Sequence, residues 1–256
     1  MKNLFLGLIF LISAHLFAQE KQFVEISYLM EVQMDVEQII SQVPQEYRAM
    51  VADQIRQELA EGIYIDYTLV TNSNESVYQM VEQINNSQTR GGMIAQQVRS
   101  FDKGVTYKNI NENYYLKPID AFGTSYLLKD DLQNHRWEIT RDKQEIAGYE
   151  TRFATGILEI NDSITPVKAW FAPKIAIKDG PGSFWGLPGM ILKTEFEMNG
   201  AHVIITAKEI KVREKPLVIK KPSGGKEVTI VEFQNEMKAI QEKYQEMMGE
   251  GVDISE

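Results

Sequence analysis

Few residues in this chain have types and spacings that could do chemistry. In "HRWE", His135 and Glu138 stand three apart, which on a helix would put both on one face as an acid–base or metal pair requires. The surrounding alternation predicts a strand instead, where the two side chains point to opposite faces. Beyond residue 18 the only other histidine is His202, and no H-E-x-x-H pattern occurs. Ser183 sits in "GPGSFWG", but Pro181 and Trp185 occupy the places where a nucleophile elbow needs glycine. Carboxylates are plentiful: Asp130, Asp131, Glu138, Asp179 and Glu195. Two of them meeting could divide acid and base work on a glycan, and each also reads as ordinary surface charge. No residue is assigned a catalytic role, and neither a metal nor a cofactor is expected.

The most distinctive stretch is Gly180 to Leu192, "GPGSFWGLPGMIL". Pro181 after Gly180 and Pro188 before Gly189 each fit a turn with proline at its first central position. Gly189 predicts a type II turn needing positive φ. Gly180, Pro181, Gly186, Pro188 and Gly189 therefore form a compact motif turn. Phe184 and Trp185 carry too much apolar area to stand in water uncompensated. Two readings remain: a rigid loop pinned by its aromatics, or an aromatic lip for a ligand or partner, formed by Phe184, Trp185, Leu187, Trp170 and Phe171.

Periodicity supplies the elements that must position this loop. In "PQEYRAMVADQIRQELAEG", Tyr47, Val51, Ile55 and Leu59 recur every four residues, Pro44 suits a first turn and Gly62 a cap, which predicts a helix near 44–60. In "TIVEFQNEMKAIQEKYQEMMGEG", Thr229 and Glu232 have capping-box spacing ahead of an apolar seam through Phe233, Met237 and Ile240. This helix either docks on the domain or binds a partner from a mobile tether. Between the helices, eleven segments alternate as strands, from "QFVEISYLMEV" to "AHVIITAKEIKV". Asn199-Gly200 joins the last two as a hairpin. Closely spaced strands without helical crossovers pair antiparallel. The expected fold is α+β, mainly β: a large curved antiparallel sheet with about two helices packed against it, its uncovered face a natural concave surface.

The first 18 residues, "MKNLFLGLIFLISAHLFA", read as a signal peptide: one basic residue, then an apolar run too short to span a bilayer. The expected organisation is a signal peptide at 1–18, a β-rich domain at 19–213 and a linker at 214–226. A C-terminal helix and tail occupy 227–256. Removing Lys2 with the leader changes the formal charge from -9 to -10. With no basic block, nucleic acid is excluded as a partner. The densest cationic run, "KVREKPLVIKKPSGGK", is punctuated by Pro and Gly like a solvated linker. "RGGM" at 90–93 reads as a loop. The chain has no cysteine, so it can form neither a disulfide nor a cysteine-linked lipid anchor.

The stretch "FWGLPGMIL" resembles the signature of the GLPGLI family, exported proteins of certain Gram-negative bacteria, with Met190 where the pattern has leucine. Upstream, "RWEITRDKQEIAGYETRFATG" is similar to the family's aromatic strand followed by K-x-I-x-G-Y. "VKAWFAPKIAIKDGPGSFWGLPG" is similar to its A-W block leading through Gly-Pro to the signature. Ile175-Ala176 stands where members often have Ile-Pro. The resemblance implies no assigned activity, catalytic residue or cofactor. It does imply a curved sheet like that of lipoprotein carriers and an association with outer-membrane transport.

These readings converge on an exported, noncatalytic binding or accessory protein of the cell envelope, periplasmic or extracellular. Its partner is expected to be an envelope protein, possible outer-membrane partners included, or an apolar small molecule. No transmembrane segment remains once the leader is removed. The alternative is an envelope hydrolase acting on glycan or cell-wall substrates through paired carboxylates.

Overall fold

The computed structural model describes residues 23–60, 62–81, 105–160, 163–198, 200–215 and 217–249. The leader, the 90–93 loop and the last seven residues of the tail lie outside these. Twelve strands form one open sheet: β1 (Phe23–Met34), β2 (Ile63–Thr71), β3 (Glu75–Met80), β4 (Thr106–Asn109), β5 (Tyr114–Ala121), β6 (Thr124–Asp131), β7 (Glu138–Ile146), β8 (Tyr149–Ile160), β9 (Ser163–Ala172), β10 (Met190–Met198), β11 (Ala201–Arg213) and β12 (Lys226–Val228). Their order is β12-β6-β5-β4-β3-β2-β1-β11-β10-β9-β8-β7. The chain thus makes two meanders, β1 to β6 and β7 to β11, joined where β1 pairs with β11. Every pairing is antiparallel except that of β12 with β6.

All eleven expected strands are present, and the hairpin lies where expected: Met198 pairs with Ala201 across the two-residue loop, with Gly200 at φ +76°. A two-residue period assigns the side chains to faces. Val24, Ile26 and Tyr28 of β1 align with Thr71, Leu69 and Tyr67 of β2, all buried on the inner face. With inner residues of β9, β10 and β11, such as Ala169, Phe196 and Val203, they form one apolar cluster. A smaller cluster, Val77, Tyr107, Leu116 and Leu127, lies on the outer face of β3 to β6.

Three helices stand among the described residues: α1 (Val36–Gln42), α2 (Gln45–Leu59) and α3 (Ile230–Gly249). Asp35 caps α1 by accepting from the amides of Glu37 and Gln38 at 3.0 and 3.1 Å, a signal the sequence reading missed. Pro44 is the N-cap of α2. Its expected apolar face is shallow: Tyr47 is exposed, Val51, Ile55 and Leu59 are half-buried, and Ala52 is buried. At α3 the capping box closes reciprocally: Thr229 Oγ1 accepts from the Glu232 amide at 3.2 Å, and Glu232 Oε2 accepts from the Thr229 amide at 2.7 Å. Phe233 and Met237 then pack on Tyr126, Leu128 and Val228 at the inner face of β5 and β6. Among the described residues no helix is long and apolar enough to cross a membrane.

Candidate functional site

The loop between β9 and β10, residues 173–189, lies on the inner face of the sheet. It is held first by its own backbone. Residues 175–179 and 185–191 run side by side, with the amides of Gly186, Met190 and Ile191 donating to the carbonyls of Lys178, Ile175 and Asp179 at 3.1, 3.0 and 2.9 Å. Both expected turns are present in altered form. The first begins at Pro181, whose carbonyl accepts from the Phe184 amide at 3.1 Å, so Gly182 (φ +57°) takes the central place expected for proline. Around Pro188 the closing bond is the tighter one from the Gly189 amide to the Leu187 carbonyl, 2.8 Å, rather than that of a type II turn. The Met190 amide is engaged by Ile175 instead. Gly189 is still required: a Cβ there would lie 2.4 Å from the Ala172 carbonyl oxygen.

A buried ion pair fastens this loop to the far half of the sheet. Lys108 projects from the inner face of β4, and its Nζ lies 2.6 Å from Asp179 Oδ1, both side chains wholly enclosed. The ammonium also donates to the carbonyls of Gly180 and Phe184 at 2.6 and 3.2 Å, so all three of its donors point at the loop. Asp179 Oδ1 accepts from the Gly180 amide at 2.8 Å, while Oδ2 has no hydrogen-bond partner in the described protein. Burial pushes the Lys108 ammonium below its ordinary pKa, and Asp179 opposes that shift. Tyr28, donating to the Ile191 carbonyl at 2.7 Å, is raised well above the phenol value by burial and then by Asp179.

On the other side, residues 132–137 lock the loop through rings. Trp137 Nε1 donates to the Trp185 carbonyl and Trp185 Nε1 to the Gln133 carbonyl, each at 2.7 Å. Trp137 rests on Gly156, where a Cβ would approach its ring to 2.5 Å. His135 is 1% exposed and packs between the rings of Trp137 and Phe184. Its Nδ1 faces the Ile157 carbonyl at 2.9 Å and its Nε2 the Ser183 carbonyl at 3.2 Å. A neutral ring has one N–H, so it donates to only one of these two carbonyls.

Burial lowers the pKa of His135 below 6.5, outweighing the two carbonyls that favour its cation. The unfolded chain therefore binds this proton more readily. His135's contribution to stability is complete above about pH 6.5 and is lost as pH falls toward the folded value. The urea midpoint should fall between about pH 7.5 and 5.5, with a shallower fall in His135→Gln; equal slopes in the two proteins would show that His135 is not the titrating group.

The five residues expected to form a contact surface are divided by the fold. Phe184, Leu187 and Phe171 are 2%, 0% and 1% exposed, so they are core residues and offer no lip. Phe171 lies on the inner face of β9, and the inward course of the loop carries Phe184 and Leu187 into the same cluster. Trp185 and Trp170 are half-buried and lie apart. Trp185 closes the lock at the loop's rim, whereas Trp170 stands on the outer face against Phe153, with ring centroids 4.8 Å apart. Of the motif turn, Gly180, Pro181 and Gly189 are buried; Gly186 and Pro188 are exposed. The loop's Ile175, Ile177, Phe184 and Leu187 join the inner-face cluster, the same face on which α3 packs, so the outer face is the one left uncovered by both.

The candidate carboxylates sit on different parts of the molecule. Asp179 is in the buried pair, Glu195 bonds Lys193 at 2.6 Å on the outer face, and Glu138 is exposed on β7. Asp130 on β6 accepts from the Ile230 amide at 3.2 Å. Among the described residues no three His, Asp or Glu side chains group as a metal site. Lys108 is the residue that sequence reading missed. Its signal was weak: a lysine at a strand position whose neighbours on the same face are apolar or small.

The sequence model of a family described as "Protein of unknown function (Porph_ging)" matches residues 157–193, from the end of β8 through the motif loop into β10. No curated protein matches. Among solved structures, PNGF-II is similar at 16% identity and a TM-score of 0.49, over 84% of this chain and 32% of its own. The chain therefore spans about a third of that protein's length. LprF from Mycobacterium bovis is similar at 12% identity and a TM-score of 0.27, over 78% and 90% of the two chains. A domain described as an outer membrane lipoprotein-sorting protein, from Vibrio parahaemolyticus, gives 7% identity and 0.26, over 78% and 88%. At these scores the likenesses assign no function.

Proposed function

We propose that the chain is a GLPGLI-type exported protein of the cell envelope with a noncatalytic binding or accessory role, contacting a protein partner or an apolar ligand. The observation that carries this reading is the placement of Lys108, Asp179 and His135. Each is sealed from solvent and fixes the motif loop, so the groups best suited to chemistry are engaged in holding a rigid scaffold. The leader-like N-terminus supports the envelope assignment. Trp170, with Phe153 and Lys193 beside it on the outer face, forms the contact surface. Phe171, its neighbour on β9, faces the core behind it.

Native mass spectrometry of the mature protein, gently extracted from its own host's envelope, tests this. A reproducible apolar adduct or a defined complex is expected, weakened at least tenfold by Trp170→Ala with thermal stability kept. A bare monomer in every preparation would contradict the proposal.

A further inference from the structure

The C-terminal segment docks far from where it departs. It leaves β11, in the interior of the sheet, at Arg213, and β12 begins at Lys226 on the sheet's edge, seven strand spacings away. At about 4.8 Å per spacing this is roughly 34 Å of sheet. The thirteen residue steps between can span at most about 43–47 Å fully extended. The path also has to run over the outer face and round the edge, so little slack remains.

Along this path the chain clasps one edge of the sheet. Ile219 packs on the outer cluster of Tyr107 and Leu116, and Lys221 donates to the Tyr114 hydroxyl at 2.8 Å. Gly225 (φ +83°) presses on the β6 backbone, where a Cβ would lie 2.8 Å from the Ser125 carbonyl oxygen. After β12, helix α3 returns on the inner face, with Phe233 edge-on to Tyr126 at 5.2 Å. The ion pairs that accompany it, Lys129–Glu227 at 3.0 Å and Lys226–Glu236, are exposed and contribute little. The tail's anchor points named here all lie on β4 to β6, and those strands would present the same surfaces to the tail of another molecule.

We propose that residues 217–249 are an exchangeable arm, and that two copies dock their arms reciprocally on each other's β6 edge. The contacts are identical in cis and in trans, so the balance rests on the tether and on concentration. A short, taut connection disfavours the closed monomer. The partner copy then supplies α3 to the inner face of β5 and β6, completing each subunit.

Two measurements test the exchange. Deleting Glu214 and Lys215, which lie between β11 and the arm, removes about 7 Å of reach, and light scattering should show at least a tenfold higher dimer fraction than in the native-length chain. Separately, copies carrying Lys129→Cys and copies carrying Glu227→Cys are mixed, partly unfolded, refolded at high concentration and oxidised. A disulfide-linked heterodimer is expected in a chain that otherwise has no cysteine. If the shortened chain stays monomeric, or if it fails to fold and the mixed copies give no linked dimer, the arm does not exchange.

Discussion

Replacing Lys108 by methionine alone is expected to cost about 3–5 kcal/mol of folding stability, because it leaves the Asp179 carboxylate buried without its counter-charge. That carboxylate keeps only the Gly180 amide, and Oδ2 already lacks a partner. The substitution also strips the donor from the Gly180 and Phe184 carbonyls. At about 2–4 °C per kcal/mol for a chain of this size, Tm should drop by roughly 6–20 °C. The double variant Lys108→Met with Asp179→Leu removes both charges together and should recover most of that loss. Urea unfolding of the two proteins decides the matter. Equal destabilisation of both would mean that the loop needs the ammonium's bonds to its carbonyls and not charge balance; a loss below about 1 kcal/mol in the single variant would remove the pair from the account.

Gly189→Ala should be the next most damaging single change. Its Cβ would meet the Ala172 carbonyl oxygen at 2.4 Å and backbone atoms of Ala172 and Pro173 at 2.7 and 2.9 Å, none of them the end of a flexible side chain. Relief requires moving β9 away from the loop, which also pulls on the Met190 amide bonded to Ile175. Overpacking and backbone strain of this kind together cost about 3 kcal/mol. Gly182→Ala is the control: its positive φ is strained, but no atom lies within 4 Å of the added carbon. Its cost should stay near 1 kcal/mol. Thermal melts that rank the two in the opposite order would show that close approach at Gly189 is not what the motif glycine serves.

The contrast between these two glycines shows what was legible in the sequence. Alternation was local, so all eleven strands and the last hairpin could be read, down to the nine residues of β2. The capping box at Thr229 was equally local. The turn glycines were recognisable as needing unusual backbone, but the chain partner that decides Gly189 is Ala172, whose closeness depends on how β9 and β10 pair. Lys108 and Asp179 are 71 positions apart, and no pattern near either residue signals the other. The direction of the loop was invisible for the same reason: Phe184 and Leu187 fit an exposed lip and a buried plug equally well until the sheet's inner face is known. β12, three residues long with a parallel partner, carried too little periodicity to be seen.

The central claim is that the motif loop belongs to the core and is as firmly held as the strands around it. Amide hydrogen exchange tests it most directly, because the amides of Gly186, Met190 and Ile191 report the loop's own bonds. Their protection should be comparable to that of Val203 and Ile205 in β11 and should fall sharply in Lys108→Met. Exchange of these amides at the rate of an exposed turn, with β11 still protected, would show a loop that opens independently and would contradict the claim.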